Sequence, residues 1–202
     1  MKKINIKSQQ AHFIGCWNLE NDKLCNEIID FFENNKSLQK PGASGMGLDP
    51  KIKKTIDIKI NPNDLEKPKF VIFKKYINEL HKCFLDYQNQ WPFLKSMIKT
   101  VDVPAFNIQK YSSGGHFASI HSERTTLNTL HRLFAWMTYL NDVEDGGQTN
   151  FKHYGIKIKP EVGKTLIWPA EWTHAHTGEI LKSGKKYIVT GWMHFSPSAN
   201  NF

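Results

Sequence analysis

Beyond Val101 the chain is cut into short apolar-rich segments, at about residues 104–111, 116–123, 132–140, 156–159, 164–168, 174–180 and 186–195, with glycine-bearing turns between them. That spacing constrains the fold more than any other feature, because short strands separated by turn residues pair into a sandwich or jelly roll. The first hundred residues read differently. Asn21 can cap a helix whose apolar residues Leu24, Ile28 and Phe31 or Phe32 recur at helical spacing until about Asn34 or Asn35. Pro68 opens a second helix, along which Phe70, Phe73, Ile77, Leu80, Phe84, Tyr87 and Trp91 keep one apolar stripe as far as Pro92. Ala11 to Trp17 reads as a short first strand. Lys54 to Ile60 alternates Thr55, Asp57 and Lys59 against Ile56, Ile58 and Ile60, which predicts a strand with one buried face. Helices first and strands after predict an α+β fold with the helices packed on one sheet. Residues 36–52, punctuated by Pro41, Gly42, Gly45, Gly47 and Pro50, are too long for a simple connector and read as either a cover for a site or a surface excursion.

Within the strand-rich half, His121 and Glu123 stand two residues apart. Side chains alternate across a strand, so residues i and i+2 point the same way. An imidazole and a carboxylate on one face, joined by a second imidazole from a distant segment, form the ligand set that holds a non-haem Fe(II) and leaves three octahedral positions open. The stretch Trp172-Thr-His174-Ala-His176 offers two candidates for that second imidazole. In a chain with 9 His and 19 acidic residues a bare H-x-E triplet carries little weight, and its context has to decide.

The context is specific. Tyr111-x-x-Gly114-Gly115-x-Phe117 leads into His121-x-Glu123, followed by Met137-Thr-Tyr-Leu-Asn-Asp142, Gly146-Gly147-Gln-Thr149-Asn-Phe151, Lys159-Pro160-x-x-Gly163 and Gly184-Lys-Lys186-Tyr-Ile-x-x-Gly-Trp192. Over roughly the C-terminal half this resembles the prolyl 4-hydroxylase-like branch of the Fe(II)/2-oxoglutarate-dependent dioxygenases. The chain departs from the commoner family pattern in three places. Glu123 stands where Asp is usual, Ile180-Leu181 stands where Pro-Val commonly follows the distal histidine, and an extra residue between Gly115 and His121 predicts a bulge. In the family the cosubstrate-binding Lys lies ten residues beyond the distal His with a Gly two before it. His176, Gly184 and Lys186 satisfy both, so the resemblance selects His176 and leaves His174 behind the ligands or at a lip facing substrate.

The resemblance implies a double-stranded β-helix in one domain over 1–202, with 1–100 as helical support and substrate loop and 101–202 as the jelly-roll core. It implies Fe(II) held by His121, Glu123 and His176, with 2-oxoglutarate and O2 as cosubstrates and ascorbate as a further candidate. Lys186 would pair with the C5 carboxylate of 2-oxoglutarate, with Thr149 and Tyr111 or Tyr139 as hydroxyl donors. Strand parity supports the inward placement, since Lys186 shares a face with Ile188 and Trp192, and a lysine inside a barrel is costly unless an anion meets it. The alternative puts Lys185 inside and Lys186 out. The implied reaction is hydroxylation of a C–H bond coupled to oxidative decarboxylation of 2-oxoglutarate, with a prolyl residue of a protein or peptide as the leading acceptor. A nucleic acid, a free small molecule, or a jelly roll that binds without turnover are the competing readings. Trp168, Trp172 and Trp192 are candidates for lining a dry pocket or for packing. Arg124 and Arg132 are candidates for a substrate carboxylate or a neighbouring acid, and Asn141 and Asp142 for turn capping.

Composition narrows the partners. The net charge of +8 is carried almost wholly by lysine, since only Arg124 and Arg132 are arginines, and residues 1–100 hold 17 Lys against 11 acids. A lysine-rich solvated surface or an acidic or nucleic-acid partner would account for this, and scarce arginine counts against forked recognition of phosphate or guanine. Cys16, Cys25 and Cys83 lie in or beside apolar segments and predict buried free thiols. No run of 18 apolar residues occurs and the N-terminal residues lack the apolar stretch of a secretory signal, so a cytoplasmic protein without a membrane partner is expected.

Overall fold

The computed structural model describes residues 1–6, 11–45 and 47–196. Among them the chain begins with strands β1 (Lys2–Lys3) and β2 (Gly15–Asn18), helix α1 (Asp22–Asn34), and strands β3 (Lys40–Pro41), β4 (Lys53–Lys54) and β5 (Ile56–Ile60). Helix α2 (Val71–Gln90) and the short α3 (Pro92–Met97) follow. The second half runs β6 (Val101–Asp102), β7 (Phe106–Ser112), β8 (His116–His121), β9 (Arg132–Tyr139), β10 (Thr149–Phe151), β11 (Ile156–Ile158), β12 (Lys164–Pro169), β13 (His176–Gly178) and β14 (Lys185–Phe195). The strands form two antiparallel sheets, one ordered β1-β2-β12-β9-β14-β7-β5-β3 with β6 on β14, the other β11-β10-β13-β8-β4. This is the double-stranded β-helix that the resemblance implies, with the helices packed on the larger sheet.

Strand parity divides the larger sheet into two faces. Tyr187, Val189 and Met193 of β14, Phe134 and Trp136 of β9 and Ile167 of β12 pack with the helices. Their neighbours Ile188, Ala135, Met137, Tyr139, Leu166 and Trp168 point the other way, into the space between the sheets. Asn21 caps α1 as expected, its side chain accepting from the Leu24 N–H at 3.1 Å, and the helix buries Leu24, Ile28, Phe31 and Phe32. Each such side chain contributes roughly 1.5–3 kcal/mol when fully buried. Helix α2 buries Phe73, Tyr76, Leu80, Phe84 and Tyr87, and the Tyr76 hydroxyl donates to Thr138 Oγ1 at 2.7 Å, fastening it to β9.

Several expected boundaries move. The first strand begins only at Gly15, because Phe13 sits at φ +52°, a turn conformation. The expected strand 54–60 is broken at Thr55, and its two parts join different sheets: β4 pairs with β8 and β5 with β7. Ile56, expected to be buried, is 38% exposed. Thr55 and Asp57 turn inward instead, where Asp57 accepts from Lys53 Nζ and Thr55 Oγ1 at 2.7 Å each. Pro92 ends α2 and also starts α3, as fits a residue without an N–H. The stretch 36–52 is fastened to both sheets, through Gly42 N–H to Thr55 O at 2.9 Å and Ala118 N–H to Ile52 O at 3.1 Å. The N-terminal hundred residues therefore supply strands to both sheets as well as helical support.

Candidate metal and cosubstrate site

Strands β8 and β13 pair so that His121 lies opposite His176, and β10 places Phe151 on the far side of His176. The register shifts between His176 and Gly178, which face His121 and Phe117, so the extra residues bulge out of β8 as predicted. His121 Nδ1 meets Ser119 O and His176 Nδ1 meets His174 O, both at 2.9 Å. A carbonyl only accepts, so each ring carries its proton on Nδ1 and turns the Nε2 lone pair inward. Glu123 Oε1 lies 3.8 Å from His121 Nε2 and 3.5 Å from His176 Nε2. The ligating atoms of these three residues all fall within 4.8 Å of one another. Burial, and then the neighbouring His121, push the His176 pKa down to about 4, which keeps its ring neutral and available as a donor to a cation.

Strand alternation is not what brings Glu123 to its place. Strand β8 ends at His121 and Glu123 stands in a bend beyond it. Its backbone oxygen accepts from Arg132 Nη1 at 2.8 Å, and its carboxylate Oε2 accepts from the Trp192 indole N–H at 2.6 Å. The Arg132 guanidinium rests on the Trp192 ring, 3.8 Å from its centroid. The segment expected over 174–180 would put His174 on one strand face with His176, but the strand starts at His176 and His174 belongs to a single 3-10 turn, Trp172–His174. It is 3% exposed, which removes it from any lip facing substrate, and its Nε2 bonds His12 O at 2.8 Å.

The second part of the site lies on β14. Lys186 is 2% exposed and points between the sheets, while Lys185 is exposed. Its ammonium donates to Gly147 O at 2.8 Å and sits 4.0 Å from the Tyr111 ring centroid. Among the described residues no carboxylate pairs with it, and burial pushes its pKa down to about 7. Gly147 adopts φ +67°, and a Cβ there would stand 3.3 Å from Lys186 Cδ, so the turn that presents the acceptor carbonyl calls for glycine. Tyr139 OH and Thr149 Oγ1 are 2.6 Å apart. The Tyr111 hydroxyl donates to Gln109 Oε1 at 2.8 Å, so this side chain presents its ring to Lys186. Lys186, Tyr111, Tyr139 and Thr149 are thus buried side by side, Lys186 facing Tyr111 and Ile188 facing Tyr139 across the sheet. Two imidazoles and one carboxylate are a donor set that fits a divalent cation, and a buried ammonium with no acidic partner among the described residues fits an anionic group of a ligand there.

The surroundings are aromatic. Phe117 stacks on His121 with centroids 3.8 Å apart, and Trp168 and Phe151 approach the His176 ring at 5.1 and 5.5 Å. Trp172 is 67% exposed and lines no dry pocket. Arg124 pairs with Glu171, which ties the loop after Glu123 to the loop before His176. Asn141 and Asp142 cap turns, Asn141 Oδ1 accepting from Tyr187 N–H and Asp142 Oδ1 from Val162 N–H, each at 2.8 Å. The part of Trp192 was missed by reading aromatics singly, although its parity with Lys186 put it on the site's face.

Residues 106–194 match the family model of the 2OG-Fe(II) oxygenase superfamily, so the resemblance read from the motifs holds over that stretch. Among curated proteins, human prolyl 4-hydroxylase subunit alpha-1 is 27% identical over 75 residues, 34% of this chain and 14% of that protein. The match thus spans about one seventh of that relative. Among solved structures, a viral collagen prolyl hydroxylase from Paramecium Bursaria Chlorella virus-1 superposes with a TM-score of 0.65 at 20% identity, covering 92% of this chain and 98% of that one. A prolyl hydroxylase from Trichoplax adhaerens, solved with a hypoxia inducible factor peptide fragment, gives 0.70 at 13% identity, covering 92% and 84%. These likenesses establish the fold.

Proposed function

We propose that the chain is one dioxygenase unit that depends on Fe(II) and 2-oxoglutarate and hydroxylates a C–H bond, with a prolyl residue of a protein or peptide as the acceptor. The observation that carries this reading is the convergence of His121, Glu123 and His176 within 4.8 Å beside a buried lysine that has no acidic partner among the described residues. His121, Glu123 and His176 would hold the iron. When bound, iron with 2-oxoglutarate and O2 supplies the oxidising power, one oxygen atom going to the acceptor and the other to succinate as CO2 is lost. The protein's own part is binding and orientation. Lys186 would meet the C5 carboxylate of 2-oxoglutarate, with the Tyr139 and Thr149 hydroxyls beside it and the Tyr111 ring beneath the ammonium. Phe151 and Trp168 pack on the buried His176 imidazole, and Phe117 stacks on that of His121. The prolyl acceptor is supported by the curated relatives and structural neighbours, which are named prolyl hydroxylases. A cytoplasmic location is part of the same proposal. It draws on three buried free cysteines, Cys16, Cys25 and Cys83.

The test is succinate release with Fe(II), 2-oxoglutarate and proline-containing peptides, with and without ascorbate. The parent should form succinate above the uncoupled background and add one oxygen atom to a peptide, and His121→Ala and Glu123→Ala should do neither. Equal succinate formation in all three proteins would sink the proposal. Oxidation of an oligonucleotide or a free metabolite, with no peptide modified, would replace the acceptor and keep the chemistry.

A further inference from the structure

Glutamate in place of the usual aspartate poses a problem of positioning. Its extra methylene adds a torsion, and a longer carboxylate can swing or turn both oxygens toward one cation. Glu123 also lies beyond the end of β8, so no backbone ladder holds it. The structure holds it at two points. Arg132 Nη1 fixes the backbone oxygen at 2.8 Å and the Trp192 indole N–H takes Oε2 at 2.6 Å, leaving Oε1 turned to His121 and His176 at 3.8 and 3.5 Å. The two holders are themselves stacked, Arg132 lying 3.8 Å from the Trp192 ring centroid.

We propose that Trp192 is a positioning residue for the metal ligand Glu123: its indole N–H occupies Oε2, so the carboxylate offers a divalent cation one oxygen, Oε1. This rests on the function proposed above. The consequence is a count of open positions. A carboxylate binding through both oxygens would take an extra place at the ion, whereas one oxygen from Glu123 and two imidazoles leave the three places that a two-point cosubstrate and O2 require. Partners that orient a ligating side chain in this way change metal affinity about 10- to 100-fold when removed.

Co(II) serves as the probe, because its affinity and absorption spectrum are both readable without turnover. Trp192→Phe should weaken Co(II) binding by about 10- to 100-fold and shift the ligand-field bands, while the thermal midpoint of the metal-free protein changes little. Trp192→His, which restores a ring N–H, should recover part of the affinity. In a Glu123→Gln background the Trp192→Phe change should have no further effect. Unchanged Co(II) affinity and spectrum in a folded Trp192→Phe protein would overturn the proposal. Should that variant fail to fold, the contact is read in the 15N-labelled parent, which has 6 tryptophans. Glu123→Ala should move one indole N–H resonance upfield, and an unmoved set would equally overturn it. A parent protein that fails to bind Co(II) would count against the proposed function, while the indole resonance still reports whether Trp192 holds Glu123.

Discussion

The larger sheet presents two faces that differ in kind although they alternate along the same strands. Its helix-covered face is closed by rings, with Phe73 against Phe106 at 5.9 Å and Phe106 against Trp136 at 5.7 Å. Its inner face is flanked by Ile188, Met137 and Leu166 but also holds Lys186, Tyr111 and Tyr139, and across the gap His176 and Thr149. A residue moved by one position along β9 or β14 changes from a packing role to a chemical one. The helix-side face is expected to set stability, while the inner face gives up stability to bury hydrogen-bonded polar groups and an ammonium that has no acidic partner among the described residues.

The largest effect that would break this division comes at the ligands. His176→Ala should reduce metal-dependent succinate formation to background while the metal-free protein stays folded, losing about 1–3 kcal/mol for the buried hydrogen bond to His174 O. Global unfolding of this variant would mean that the inner face is as structural as the outer. The next effect is on the opposite face. Phe73 is fully buried, and Phe73→Ala should cost about 3–5 kcal/mol in denaturant unfolding, with cation affinity unchanged in whatever fraction remains folded. A loss of affinity in the folded fraction would show that the two faces are coupled through β9 and β14.

How much of this was legible depends on whether the signal was local. Strand parity put Lys186 on the inner face with Ile188 and Trp192, and the structure agrees. The cap at Asn21 was equally readable, because a side chain and an N–H three residues on decide it. Strand β10 was not proposed as a strand. It has only three residues, Thr149–Phe151, and it exists because β11 and β13 flank it. The break at Thr55 escaped notice for a related reason, since an alternating pattern cannot say that its two ends pair with different sheets. His121 and Glu123 come together for a reason other than the strand alternation their spacing suggests. Glu123 is held by Arg132, 9 residues on, and by Trp192, 69 residues on, and neither contact is written in an i, i+2 spacing. His174 shows the converse, because a spacing of two looked like one strand face and is a turn whose carbonyl orients the His176 ring.

A third change separates the two demands placed on the inner face. Lys186→Met removes a buried ammonium that lacks an acidic partner among the described residues, and near pH 6 it should stabilise the cosubstrate-free protein by about 1–4 kcal/mol. The same change should weaken 2-oxoglutarate binding by about 1.5–3 kcal/mol, the usual worth of a hydrogen bond to a charged group. Calorimetric titration against denaturant unfolding reads both. A variant that loses stability and keeps its cosubstrate would mean that Lys186 is a packing residue and that the anion is met elsewhere.

The smallest effect is a slope with pH, to which the buried Lys186 and the buried thiols contribute with opposite signs. Lys186 has a folded pKa of about 7 against an ordinary 10.5, so between those values the unfolded chain binds more protons than the folded one. Stability then rises with pH, by at most about 1.4 kcal/mol per unit from this group. Below pH 7 the burden of the buried charge is complete and its contribution is flat. On the helix side, burial raises the thiol pKa of Cys25 to about 11 and of Cys83 to about 12 from 9.0. There the unfolded chain loses protons first, and stability falls as pH climbs above 9. The parent should therefore gain stability between pH 7 and 9 relative to Lys186→Met, and the difference between the two proteins cancels the thiols. Saturating 2-oxoglutarate should abolish that gain, because a bound C5 carboxylate restores the charge on Lys186. The same binding should draw in a proton at pH 8, visible as a dependence of the binding heat on the ionisation enthalpy of the buffer. A parent and variant whose stabilities run parallel from pH 6 to 9 would place a charged, solvated lysine with an ordinary pKa at position 186 and erase the contrast with the buried thiols at its most sensitive point.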